Sequence, residues 1–100
     1  MIKLEQALKH NVSPVRIWAT WALGQIGSEE AIKALIKALD RKDASVRWRA
    51  AAALGKNGAK VAVDKLAQAL NDEEFYVRWR VASALGQIKS EAAVSGLVKS

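Results

Sequence analysis

Apolar residues recur at helical spacing along the chain. Val46, Ala50, Ala53 and Leu54 fall at steps of four, three and one, a stripe of small side chains on one helix face. Ile32, Leu35, Ile36 and Leu39 make a second stripe in the segment before it. Alternating Val, Ile and Thr between hairpin turns, the signature of strands, does not occur. The pattern predicts seven helices, near residues 2–9, 14–26, 29–40, 44–56, 60–71, 75–88 and 91–99.

The same pattern repeats. Ala22-Leu23-Gly24, Ala53-Leu54-Gly55 and Ala84-Leu85-Gly86 are spaced by 31 residues. That step also carries Val15 to Val46 to Val77, Arg16 to Arg47 to Arg78, and Leu4 to Leu35 to Leu66 to Leu97. Leu8, Leu39 and Leu70 follow it, as do Ala31, Ala62 and Ala93. A period of this length means stacked supersecondary units that touch only their neighbours. The expected fold is therefore all-α: one α-solenoid domain over residues 1–100, built from antiparallel helix pairs. It divides into a half unit (1–12) and units 13–43, 44–74 and 75–100.

Turn chemistry agrees with these units. Gly27 and Gly58 follow Ala-Leu-Gly helices, where a left-handed C-terminal residue is favoured. The third equivalent is Lys89, so that cap is missing. Ser28-Glu29-Glu30 and Ser90-Glu91 read as helix starts, Asp43 as an N-cap, and Ser13-Pro14 as an N-cap followed by proline at the first helical position. Asp72-Glu73-Glu74 places negative charge ahead of the helix from 75.

The unit Val-Arg-x-x-Ala-Ala-x-Ala-Leu-Gly, then a turn, then Ala-Val/Ile-x-x-Leu-x-x-Ala-Leu, resembles the short HEAT-like repeat of the phycobilisome-lyase type. It is also similar to designed consensus scaffolds of that repeat. Residues 46–55 and 77–86 carry the resemblance, and residues 15–24 give a looser copy. It implies a fold more than a function, because function resides in sites carried by a fold. Asn57 departs from the pattern, standing where Ile26 and Ile88 stand in the other units. It reads as a helix-end hydrogen-bonder. The turn Gly58-Ala59-Lys60-Val61 lacks the family's usual Asp.

Between units the apolar stripe barely changes, whereas five positions change freely. They read Ser13, Pro14, Ile17, Trp18, Trp21, then Ala44, Ser45, Trp48, Arg49, Ala52, then Phe75, Tyr76, Trp79, Arg80, Ser83. Positions 45, 48, 49 and 52 share one helix face, away from Val46, Ala50 and Ala53. Stacking the units predicts rows across a concave wall: Ile17–Trp48–Trp79, Trp18–Arg49–Arg80, Trp21–Ala52–Ser83 and Ser13–Ala44–Phe75. All four tryptophans fall on this face. Trp, Tyr and Arg are the residues enriched in binding hot spots. The candidate partner-binding set is thus Ile17, Trp18, Trp21, Ser45, Trp48, Arg49, Ala52, Phe75, Tyr76, Trp79, Arg80 and Ser83. The alternative for the same rings is a structural seam packed across units. Arg16, Arg47 and Arg78 follow the core Val in every unit and read as a framework ladder. Their expected partners are loop carbonyls or acids such as Asp40, Asp43 or Asp72.

Composition narrows the chemistry. The 100 residues hold no Cys and one His, His10. Disulfides, thiolate nucleophiles and Cys-dependent zinc sites are excluded, and no metal or cofactor is expected. His10 at a helix end suits the helix dipole. Glu29-Glu30 and Glu73-Glu74 are adjacent in sequence, so they read as solvated helix starts and not as acid/base pairs. No Gly-rich phosphate loop exists. The expectation is a non-enzymatic, cytoplasmic protein-binding module without membrane association. Its partner is another protein or, through the aromatic face or weakly capped terminal repeats, a second copy. With 16 Lys plus Arg against 10 Asp plus Glu, the net charge is +6. That keeps nucleic-acid binding as an alternative, although three of the arginines belong to the framework. Changes concentrated at five exposed positions also fit a designed or library-derived binder. Drift within the framework, as between residues 34–37 and 65–68, fits a natural sequence instead.

Overall fold

Five α-helices and one short 3₁₀ turn make up the described part of the chain. The structure, a computed structural model, describes residues 13–99, with the side chains of residues 14–91. The elements are α1 (Ser13–Ile26), α2 (Glu29–Ala38), α3 (Ala44–Lys56), a 3₁₀ turn (Lys60–Ala62), α4 (Val63–Ala69) and α5 (Phe75–Lys99). No strand occurs among them. The half unit 1–12, with the helix expected at 2–9 and His10, lies outside the described residues.

The Ala-Leu-Gly helices α1, α3 and α5 lie side by side, and α2 and α4 back them as a second layer. The Cα atoms span 48 × 31 × 16 Å. The short dimension suits two layers of helices whose axes are about 8–10 Å apart. Between the layers the apolar stripes meet. Leu35, Leu54, Leu66, Ile88, Val46, Val77 and Val81 are fully buried there.

Small residues let the front helices approach closely. A Cβ on Gly24 would lie 2.9 Å from the Ala53 Cβ, and one on Gly55 would lie 2.8 Å from the Ala84 Cα. Each of these two glycines thus seats the next unit's Ala-Leu-Gly alanine. Gly86, the third of the set, meets nothing within 4 Å.

Two boundaries differ from the sequence expectation. Helices expected at 75–88 and 91–99 are one continuous helix, α5, and Ser90-Glu91 lies within it. Gly27 and Gly58 end α1 and α3 with φ of 63° and 59°. Lys89 occupies the equivalent position, and a side chain makes that conformation costly by about 1–2 kcal/mol, so the helix runs on. The helix expected at 60–71 begins instead as the 3₁₀ turn and shortens to Val63–Ala69. Neither Ala59 nor Ala62 offers a capping side chain, the consequence of the missing Asp. By contrast, the Ser28 hydroxyl accepts from the Ala31 N–H at 3.1 Å, and Asp43 accepts from the Ser45 N–H at 2.9 Å.

The arginine ladder is present. Arg16 donates to Asp43 at 3.0 Å. Arg47 grips both Asp72 oxygens, at 2.8 and 3.2 Å, and also donates to the Arg41 and Lys42 carbonyls, both at 2.7 Å. Arg78 donates to the Asp72 carbonyl at 2.7 Å. Arg16 and Arg47 therefore each tie one unit to the loop that opens the next. Asp40 stands outside the ladder and pairs with Lys65 at 2.8 Å.

Asp72 has a pKa below its ordinary value of 3.8. Burial alone would raise it. Hydrogen bonds from Arg47 and the Glu74 N–H, with the charges of Arg47 and Arg78, outweigh that effect. A carboxyl whose folded pKa is lowered stabilises fully above its unfolded pKa, and that stability is lost as pH falls through the lowered value. Urea unfolding midpoints should therefore change little on this account between about pH 7 and 5 and decline below about pH 4. Asp72→Asn should shallow the decline, and an equal decline in both proteins would remove Asp72 as a cause.

Candidate functional site

The outer face of α1, α3 and α5 carries the variable positions. Core-directed Val46, Ala50 and Leu54 turn the other face of α3 inward, which leaves 45, 48, 49 and 52 outward. Trp18, Trp21 and Trp79 are 53%, 61% and 55% exposed, and Phe75 is 72% exposed. Tyr76 and Ser83 are exposed as well, whereas Ile17, Ser45, Trp48, Arg49, Ala52 and Arg80 are half-buried. No member of the candidate set is buried.

Trp48 organises the centre. Its ring packs against the core from outside. The Arg49 guanidinium lies 4.2 Å from the ring centroid and the Arg80 guanidinium 4.9 Å from it. Tyr76 meets Trp48 edge-on at 5.1 Å and Trp79 at 5.4 Å. The expected rows are thus modified. Trp48 and Trp79 are linked through Tyr76, and Arg49 and Arg80 both turn toward Trp48. Phe75 stands apart, with the Arg78 guanidinium 5.8 Å from its ring.

Beside this cluster runs a groove of about 360 Å³. Five candidate residues line it: Trp21, Trp48, Arg49, Ala52 and Arg80. Gly24 and Ala53, the close-packing pair of α1 and α3, also border it. The remaining candidates lie outside its lining. Gln25, Lys56 and Gln87 complete it, and sequence reasoning missed them. They are related by the 31-residue step, one helical turn beyond positions 21, 52 and 83, so extending the repeat alignment would have found them. Lys56 Nζ donates to Gln25 Oε1 at 3.0 Å across α1 and α3.

Asn57 is a helix-end bonder and not part of the groove. Its amide donates to the Gly24 carbonyl at 3.0 Å and the Ala53 carbonyl at 2.8 Å, closing the ends of α1 and α3 together. Among the described residues no cluster of His, Asp or Glu could hold a metal ion. No helix among them is long and apolar enough to cross a membrane.

Known proteins match both the sequence and the fold. Residues 32–100 fit the family model described as HEAT repeats. The chain belongs to the HEAT-repeat family. Residues 15–41 also fit the PBS lyase HEAT-like repeat. These HEAT repeats resemble the phycocyanin lyase CpcE–CpcF complex from Nostoc sp. PCC7120, with 31% identity and a TM-score of 0.79 over 99% of this chain. Human deoxyhypusine hydroxylase is similar at 28% identity and TM-score 0.78, and an engineered protein at 30% and 0.63, each over 87% of this chain. The chain spans 42%, 31% and 44% of those three chains, respectively. No curated protein sequence matches it.

Proposed function

We propose that these HEAT repeats form a non-enzymatic protein-interaction module that binds a protein partner through the outer face of α1, α3 and α5. One observation carries the reading: three tryptophans more than half exposed stand on that face with Phe75 and Tyr76, while a complete apolar core lies behind it. Contiguous exposed apolar surface rimmed by polar groups marks an interaction site. The groove lining supports a binding role over catalysis. It is built of indoles, amides and cations, and no carboxylate, imidazole or hydroxyl in it could move a proton at neutral pH. The complex of CpcE and CpcF, to which the chain is similar, is itself an assembly of two proteins.

Truncating the exposed rings separates binding from folding. Trp18→Ala and Trp21→Ala should each leave unfolding free energy within about 0.5 kcal/mol of wild type. The triple variant that adds Trp79→Ala should lose capture of partner from a lysate of the source cells. A large stability loss would identify the rings as a structural seam, and unchanged capture would place the interface elsewhere. Light scattering over a concentration series distinguishes a second copy from a different protein, because self-association alone raises the mass of the purified chain.

A further inference from the structure

Two arginines on the binding face stand outside the pairing scheme that serves the framework arginines. Arg16 and Arg47 hold carboxylates, and Arg78 holds a backbone carbonyl. Arg49 and Arg80 make no ion pair with any described residue. Both guanidiniums instead lie against the single ring of Trp48, at 4.2 and 4.9 Å. Arg49 Nε is shielded from water and has no hydrogen-bond partner. A buried donor left unpaired is costly, and two like charges sharing one ring repel each other. One incoming anion would offset that repulsion. Lys56 adds a third cation to the groove, and its lining contains no acid.

We infer that the groove receives an acidic segment of the protein partner, with an Asp or Glu carboxylate seated between Arg49 and Arg80 and a neighbouring apolar side chain against Trp21. This rests on the reading that the face binds a protein. Arginine prefers carboxylates because its planar fork can hold two oxygens at once. The apolar neighbour is expected because Trp21 borders the same groove and is 61% exposed.

Charge argues against the other occupants. A second copy docked face to face would bring the same cations onto Arg49, Lys56 and Arg80. A nucleic acid needs a track of cations with free ring faces for bases. Here the Trp48 ring is already occupied by guanidiniums. Lys33 and Lys65 lie on the other layer and are drawn to Glu29 and Asp40.

A random-peptide display library selected on the purified chain tests the inference directly. The expected outcome is enrichment of Asp or Glu next to an aromatic or aliphatic residue. The best peptide, synthesised, should bind at least about tenfold more weakly to Arg49→Gln and to Arg80→Gln, the lower end for losing a charge-assisted hydrogen bond. Its Glu→Gln version should lose a similar factor on the wild type. Thermal unfolding checks that each variant folds. If Arg49→Gln does not, Arg80→Gln carries the comparison alone. Peptides that depend on the exposed tryptophans but carry no acid would overturn this inference and leave the interaction face standing. No selected peptide at all would overturn both. Displacement of the peptide by an oligothymidylate probe at equal concentration would transfer the groove to nucleic acid.

Discussion

Arg47→Ala is expected to destabilise the fold by about 3–5 kcal/mol, the range for breaking a buried ion pair from one side. The two side chains are 8% and 10% exposed. Removing the guanidinium leaves the Asp72 carboxylate with only the Glu74 N–H and the charge of Arg78, and it frees the Arg41 and Lys42 carbonyls as well. That loop opens α5, so the loss acts on the junction between two units. Arg16→Ala, at a pair roughly twice as exposed, should cost less, about 1–2 kcal/mol. Urea unfolding of both variants tests the ranking. The double variant Arg47→Ala/Asp72→Ala should be less destabilised than the two single changes added together, because it leaves no orphaned charge. A cost under about 1 kcal/mol for Arg47→Ala would show that water reaches this pair freely.

Adding one methyl group at equivalent glycines should have opposite effects. Gly55→Ala forces a Cβ to 2.8 Å from the Ala84 Cα. Backbone cannot swing aside as a side-chain tip can, so α3 and α5 must separate along their shared contact. The expected cost is about 1–3 kcal/mol. Gly86→Ala places the same methyl in open space on α5 and should gain up to about 1 kcal/mol from helix propensity. Thermal unfolding of the two variants reads the contrast directly. Destabilisation by both would mean that another surface closes on Gly86.

The repeat register made the fold legible. Leu35, Leu54, Val46 and Val77 are buried as the stripe required. Ser28, Asp43 and Gly27 cap and stop helices where turn chemistry put them. The missing cap at Lys89 was visible too, yet the two helices expected around it are one. Without a glycine nothing in the local chain compels a turn there, and helix propagates at little cost once begun.

The candidate face was legible as positions and not as contacts. Placing equivalent residues in rows put Trp48 beside Trp79 and Arg49 beside Arg80. Side chains as long as Arg80 reach across units, so the actual cluster is diagonal and centres on one indole. Gln25, Lys56 and Gln87 escaped notice because amides and lysines are ordinary on exposed helix turns. Their meaning arises only when three helices bring them to one groove.

By itself, the sequence determined the helical class, the 31-residue unit, the buried stripe and the framework arginines, because each follows from a period that local chemistry repeats. Only the tertiary structure decided how deep each side chain sits, which group each framework arginine holds, and that Arg49 and Arg80 hold no carboxylate among the described residues. Those outcomes depend on the approach of separate helices. A Gly–Ala contact with no side chain between them sets that approach, and its distance is not written in either segment alone.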